Sequence, residues 1–473
     1  MIDNLVNLPF YAVYETNDTD ALVPEHWALE GLNILMSNMV ATTLVHRDFS
    51  DEIAQYGAVV NTRKPSAFGV ERKTNADDVT IQNAEVTNIP VTLNQHLHVS
   101  FLIRDGEESK AFKDLVAEFL EPAMIAQAEF IDSLVLGQVA QFLTNWSGGL
   151  QSVTAANAQT YLLDTRRVMN DRKVPTTGRN LVISSATEAA FLGTELFVSA
   201  EKTGDQGTAL REASLGRKFG FDIFMCQNTP FVSLDTVDTA TGSINNSGGY
   251  AKGVSTLTVT VTGYEVVAGS YVTIAGEMKP HVVASVTAST DTTGIVLVEP
   301  LEAAVAHGAV VTVYKPAAVD LSAGYLANYA KKVHIDTVTS GKAPQVGQIV
   351  SFGVSTARHT YVILSVTNTA ANDYDLLLDR PLVTAISDGD DVFMGPAGSF
   401  NLAFSRNAIA LVTRPLAMPR QGTGALAAVM NVNGVGLRVV ITYDGIKQGT
   451  LVTLDCLLGV KVMDTDLGAV MLG

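Results

Sequence analysis

Between Ser109 and Phe142 the apolar residues recur every three to four positions: Phe112, Leu115, Val116, Phe119, Leu120, Ala123, Phe130, Ile131, Leu134, Val135, Val139 and Phe142. That spacing draws one continuous stripe along a helix and leaves Lys110, Lys113, Asp114, Glu118 and Asp132 on its other faces. Ser109 stands where an N-cap accepts a backbone N–H, and Trp146-Ser147-Gly148-Gly149 ends the element after Asn145. At about 1.5 Å per residue such a helix is roughly 50 Å long, more than a compact domain is wide. Pro122 lacks an N–H, which predicts a kink there or two collinear helices with Pro122 in the first turn of the second.

Upstream, Pro24 sits where a helix begins, and Trp27, Leu29, Leu32, Leu35, Met36 and Met39 make a short apolar stripe. This stripe docks on the chain's own core or on a neighbouring subunit, and the pattern does not choose between them. From Ala58 to Ile103 the period becomes two. Val59-Val60-Asn61-Thr62-Arg63 and Lys64-Pro65 lead to a polar tip, Glu71 to Asp78, and a long β-branched return follows from Val79. The expected element is a projecting hairpin. A two-stranded hairpin is marginal alone in water, so one this long lies against something.

After the long helix, Ala158–Val168 reads as a helix and Asn180–Ser184 as a buried strand, with Ser185 capping a helix through Leu192. A further strand-like run, Leu215 to Phe224, ends before Pro230. Residues 231–397 then change style, rich in Val, Thr, Gly and Ala and without helical period. They open on a linker-like run, Thr241 to Gly249. Within them lies a duplication at an offset near eighty residues. Gly269–Ile274, His281-Val282-Val283, Leu297–Leu301 and Val311–Pro316 match Gly347–Phe352, His359-Thr360-Tyr361, Leu378–Leu382 and Val392–Pro396. Two small all-β modules are expected, with Tyr325–Ala330 as a helical turn or spacer between them. Phe404–Val412, Leu437–Asp444 and Thr450–Val462 return to the earlier style as strands.

Composition sharpens the picture. Of 473 residues, 47% are hydrophobic and 17% charged, with a net charge of −17 and a mean hydropathy of +0.22. That is more apolar than a free monomer needs and points to surface covered in an assembly. The acidic balance argues against tight nucleic-acid binding, which needs clustered Lys and Arg. No apolar run reaches the length of a membrane span, and Met1–Phe10 does not read as a signal peptide. The two cysteines, Cys226 and Cys456, give no disulfide framework and fit synthesis in a cytoplasm.

Chemistry is sparse. The chain has no phosphate-binding loop, HExxH, GxSxG or CxxC. Gly422-Thr423-Gly424-Ala425-Leu426-Ala427 matches GxGxxA by letters but follows Met418-Pro419-Arg420-Gln421 rather than a strand, so a loop is expected. His96 and His98 share a strand face without a third ligand nearby, and no metal or cofactor is expected. Ser184-Ser185 is a helix cap rather than a nucleophile, since no base can be assigned to it. No residue supports an enzyme. Around the hairpin tip, Arg72 and Lys73 with Asp77 and Asp78 form a solvated turn or pair with another subunit. The candidate intersubunit residues are therefore Trp27, Arg63, Lys64, Arg72, Lys73, Asp77 and Asp78.

The order of these features resembles the major capsid proteins of tailed bacteriophages. The resemblance is carried by the N-terminal helical arm, the hairpin, the long helix and the runs Gly178–Ser184, Gly216–Asp222, Phe404–Leu416 and Leu454–Val462. It covers 1–230 and 398–473, roughly two-thirds of the chain. It implies an α+β Hong Kong 97-type fold, closest to the short-tailed phage branch with an inserted β-barrel, here doubled. The implied divisions are an N-arm (1–58), an E-loop hairpin (59–108), a spine helix (109–145), and a first peripheral and axial part (146–230). An inserted β domain (231–397, repeats about 251–316 and 333–396) and the closing axial and peripheral strands (398–473) complete them. The resemblance further implies a homo-oligomer of hexamers and pentamers in an icosahedral shell around double-stranded DNA, made in a host bacterial cytoplasm and located in the virion. A separate scaffolding protein, a portal and decoration proteins follow by analogy. Lys64 and Lys73 match no crosslinking motif. Two other readings of the same features are an encapsulin-like nanocompartment and a surface adhesin or tail-fibre protein.

Overall fold

The computed structural model describes residues 28–473 apart from 30, 32–33, 36–38, 48–58, 65–67, 69, 71, 74–80, 82–86, 105–118, 149–151, 200–211, 288–291, 322–323, 328–329, 337–341, 353–358, 415, 421–424 and 433–434. Helices are few and strands many, a mixed α+β chain.

The central helix spans Glu121–Leu136 with Pro122 in its first turn. Residues 109–118, with the Ser109 cap, lie outside the described residues. The described helix is only about 24 Å long at 1.5 Å per residue, and Val139–Asn145 continues as a 3-10 helix. Its stop at Gly137 has a tertiary cause. A Cβ there would sit 2.8 Å from Asp379 Oδ2, and Thr360 Oγ1 donates to the Gly137 carbonyl at 3.4 Å. At the far end of the 3-10 turn, Asn145 Nδ2 donates to the carbonyls of Thr465 and Gly468, pulling the chain toward a sheet.

Ala123, Met124, Ala128, Ile131, Leu134 and Val135 are buried on the helix, and Gln127 Nε2 donates to the Leu454 carbonyl at 2.9 Å, seating it on a five-stranded sheet. That sheet runs Ile409–Arg414, Gly449–Val462, Val435–Asp444, Leu426–Val432, and Gln95–Arg104 pairs with the long strand Gly449–Val462. The N-terminal stripe docks on this same core through Ala28, Leu35 and Met39. Asp132, expected on a polar face, is buried. Its Oδ2 accepts from Val40 N at 2.8 Å and its Oδ1 from Thr42 N and Thr42 Oγ1 at 2.9 and 2.6 Å. It thereby caps the short helix Ala41–Leu44 from across the core.

A seven-stranded sheet forms the second layer: Trp146–Gly148, Gly468–Leu472, Gly398–Ser405, Arg179–Ile183, Phe221–Met225 and Arg217–Lys218 in that order, with Phe231–Val232 joined to Gly398–Ser405. The outer helix Ala158–Asp171 and the helix Ser185–Leu192 cover it through Leu162, Phe191, Leu181, Phe221 and Met471. Ser184, not Ser185, is the cap, its Oγ accepting from Thr187 N at 3.3 Å. The expected single strand Phe404–Val412 is two strands in different sheets, divided by the turn Arg406–Ala408.

Between Phe231–Val232 and Gly398–Ser405 the chain builds two closed six-stranded barrels. The first runs from Thr239–Ile244 to Val310–Tyr314, the second from Ala317–Val319 to Asp391–Met394. Thr239–Ile244 corrects the linker expected at Thr241–Gly249. Ala240 and Ile244 are buried in the barrel core, and the small polar residues between them are less buried. Tyr325, expected in a spacer, belongs to the second barrel. It pairs with Ile386 as Tyr250 pairs with Val305 in the first. Each tyrosine hydroxyl accepts a backbone N–H, from Thr258 at 2.7 Å and from His334 at 2.8 Å. The carbonyls of Val282 and Val362 likewise accept from Val298 N and Asp379 N. His281 therefore corresponds to Tyr361, not to His359 as the letters suggest, because the hairpin loop of the second barrel is two residues longer. The second barrel shares the main core, whereas the first encloses a core of its own.

Candidate functional site

The site assembles on the hairpin. Val59–Lys64 pairs antiparallel with Thr87–Thr92, from Val59↔Thr92 to Lys64↔Thr87. β-Branched residues alternate with polar ones here, and a pleated strand turns alternate side chains to opposite faces. Val60 and Val91 are buried with Leu93 against Ala410 and Val412 of the five-stranded sheet, while Asn61 and Arg63 face out. Asn88 Nδ2 bonds Asn61 Oδ1 at 3.1 Å across the outer face. The return strand differs from expectation. It does not stay in the hairpin to Ile103 but departs after Thr92, and Gln95–Arg104 joins the sheet.

Close approach makes this seat possible. A Cβ on Gly459 would lie 2.2 Å from the Thr92 carbonyl oxygen, so only glycine lets the hairpin base lie on the long strand. Beyond the seated base the character reverses. Phe68, Val70 and Ile81 are 64%, 103% and 87% exposed. Arg72 and Lys73 are exposed beside them. The hairpin thus has an anchored stem, and between its two strands in sequence stand large apolar side chains that no described residue covers.

Of the residues singled out from sequence, Arg63, Arg72 and Lys73 are exposed on or beyond the hairpin. Trp27, Asp77, Asp78 and the Lys64 side chain lie outside the described residues, as does Gly422-Thr423-Gly424. His96 and His98 lie on the exposed face of Gln95–Arg104. His96 Nε2 is 3.5 Å from Asp455 Oδ2, a carboxylate already held by Arg438 through its Nε at 2.8 Å and its Nη2. Among the described residues no group of three potential metal ligands occurs, and no helix is long and apolar enough to cross a membrane.

No family model matches the chain, and no curated protein matches it. Among solved structures it is similar to one described as Mycobacterium phage Che8, at 13% identity and a TM-score of 0.42, over 91% of this chain and 90% of that one. It is similar to the capsid structure of the cyanophage P-SCSP1u at 10% identity and a TM-score of 0.42, over 88% of this chain and 83% of that one. The capsid structure of Staphylococcus phage Andhra matches at 6% identity and a TM-score of 0.37, over 90% and 84% of the two chains.

Sequence reasoning singled out the charges of the tip and passed over Phe68, Val70 and Ile81. A signal was available. Phe68-Gly69-Val70 places two large apolar residues between a strand and a charged run, where a solvated turn would carry polar ones.

Proposed function

We propose that this chain is the major capsid protein of a tailed bacteriophage, a structural subunit that tiles with copies of itself into an icosahedral head around double-stranded DNA. The observation that carries the reading is the seated hairpin with an apolar end exposed on Phe68, Val70 and Ile81. Such an end is costly to leave in water, and the occupant argued for is a second copy of the chain. The chain's mean hydropathy of +0.22 and few charges favour a self-associating surface. Heterologous contacts of this kind close into rings, here hexamers and pentamers. In the Hong Kong 97-type scheme the hairpin is the E-loop, the central helix the end of the spine, and the two sheets the peripheral and axial domains. The two barrels form the inserted domain. A net charge of −17 suits an inner wall that encloses DNA without gripping it. A scaffolding protein and a portal are the expected helpers.

The test is a variant carrying Phe68→Ser, Val70→Ser and Ile81→Ser. The expected result is a folded subunit with unchanged circular dichroism that sediments slowly and forms no shells under the electron microscope, while the parent chain does. Normal shells from the variant would overturn the reading.

A further inference from the structure

A cavity of about 130 Å³ opens where the hairpin return, the five-stranded sheet, the central helix and the second barrel meet. The hairpin return brings Thr92, the sheet brings Gln95 and Lys461, the turn after the central helix brings Gln138, and the second barrel brings His359 and Arg380. In a chain with a net charge of −17, not one of the residues lining this cavity is a carboxylate. Arg380 is balanced from behind, its Nη1 donating to Asp379 Oδ2 at 3.0 Å and its Nη2 to the Thr360 carbonyl. Lys461 has no such counterpart, since no described carboxylate lies within ion-pair distance of it. His359, half-buried, has no hydrogen-bond partner among the described residues. Burial and the positive charges of Arg380 and Lys461 hold its imidazole below the ordinary histidine range, so the field in this cavity is positive.

A buried amide on the same wall is incomplete. Gln95 is 1% exposed. Its Nε2 donates to Asn94 Oδ1 at 3.1 Å, while its Oε1 is buried without a partner. Gln138 beside it is satisfied, donating to the Leu134 carbonyl at 3.4 Å and accepting from Gln141 Nε2 at 2.8 Å. A buried acceptor left alone is costly, and a positive wall without carboxylates favours an anion.

The occupant that answers both demands is small, negative, rich in acceptor oxygens, and carries an O–H. Hydrogen phosphate has these properties. Its oxygens can accept from Lys461, Arg380 and a His359 ring N–H, and its O–H can donate to Gln95 Oε1. Sulfate brings the charge without the hydrogen. We propose that this cavity is a binding site for hydrogen phosphate that pins the base of the hairpin return to the second barrel, an inference independent of the proposed function. The pinning follows from the walls, because the groups that would hold the ion belong to the barrel on one side and to the sheet beside the hairpin base on the other.

Calorimetric titration of the full chain with phosphate near neutral pH, at an ionic strength held constant with sodium chloride, tests this. The expected result is a single saturable site per chain, with sulfate bound at least about tenfold more weakly. Lys461→Gln and His359→Ala should each weaken phosphate at least about tenfold. Lys447→Gln, which removes the same charge from an exposed turn elsewhere, should leave binding unchanged. Hydrogen exchange reads the pinning: amides of 87–95 and 359–363 should exchange at least about threefold more slowly in phosphate than in chloride. If one cavity variant fails to fold, by circular dichroism, the other decides. No saturable binding, sulfate bound as tightly as phosphate, an equal loss in Lys447→Gln, or displacement of phosphate by short duplex DNA would overturn the proposal.

Discussion

Asp132 shows how one buried carboxylate can fasten a chain segment. It stands on the same helical row as buried Ala128 and Leu136, so the four-residue spacing marks its position as an inward one despite its charge. With three donors from Val40 and Thr42 the buried charge is compensated. Asp132→Asn leaves one oxygen in place and presents an amide to donors, so it should cost about 2 kcal/mol, read as a lowered urea midpoint and faster proteolysis of the segment before Thr42. The Cys226 thiol beside it is pushed up to about 12 by burial and by this carboxylate, and Cys456 to about 12 by burial and by Asp455. Neither should react with iodoacetamide at pH 8 until the chain is unfolded, since the thiolate is the reactive form. Asp379 makes the pH argument. Burial raises its carboxyl to about 6, against the pull of Arg380. Between the unfolded carboxylate range near 4 and about 6, the folded chain holds a proton that the unfolded chain has released. Rising pH therefore removes stability across that window and no more above it. Asp379→Asn should flatten that part of a plot of urea midpoint against pH, and an unchanged slope would refute the assignment.

Elements were legible where their own residues decide them and illegible where distant ones do. The three-to-four spacing of Ile131, Leu134 and Val135 marks the buried face of the central helix in any tertiary setting. Its end at Gly137 depends on Thr360, more than two hundred residues away, and on Asp379 beside it. Period two identified the hairpin strand Val59–Lys64 but not the departure of Gln95–Arg104, because alternation is the same whichever strand is the partner. The duplication was visible in the letters, yet a two-residue difference in loop length hid that His281 answers to Tyr361. The candidate site was half legible. The hairpin could be read, whereas its seat depends on Gly459, which carries no pattern at all. Gly459→Ala would set a Cβ against the Thr92 carbonyl, and that backbone must move. Hydrogen exchange should quicken in 59–64 and 87–92 while the two barrels keep their protection, and shells should form poorly or not at all.

At the scale of the whole molecule two tendencies oppose each other, and salt separates them. Each chain carries a net charge of −17, so bringing copies together costs electrostatic work that grows with every added neighbour. Against this, in the proposed assembly, would stand apolar burial of the exposed Phe68, Val70 and Ile81, which added salt does not weaken. Ion pairing between tips, through Arg72 and Lys73 on one copy and acidic residues on another, would instead be screened as the Debye length falls to about 10 Å at 0.1 M and about 3 Å at 1 M. If apolar contact dominates, raising the salt removes repulsion and leaves the attraction standing. Light scattering and sedimentation should then show the concentration needed for assembly falling as salt rises from about 0.01 M to about 1 M. The Phe68, Val70 and Ile81 triple serine variant should remain dispersed throughout, while an Arg72→Ser and Lys73→Ser variant should follow the parent curve with little displacement. Assembly that weakens with salt, or that is lost in the charge variant and kept in the apolar one, would move the driving force from the greasy end of the hairpin to its charges.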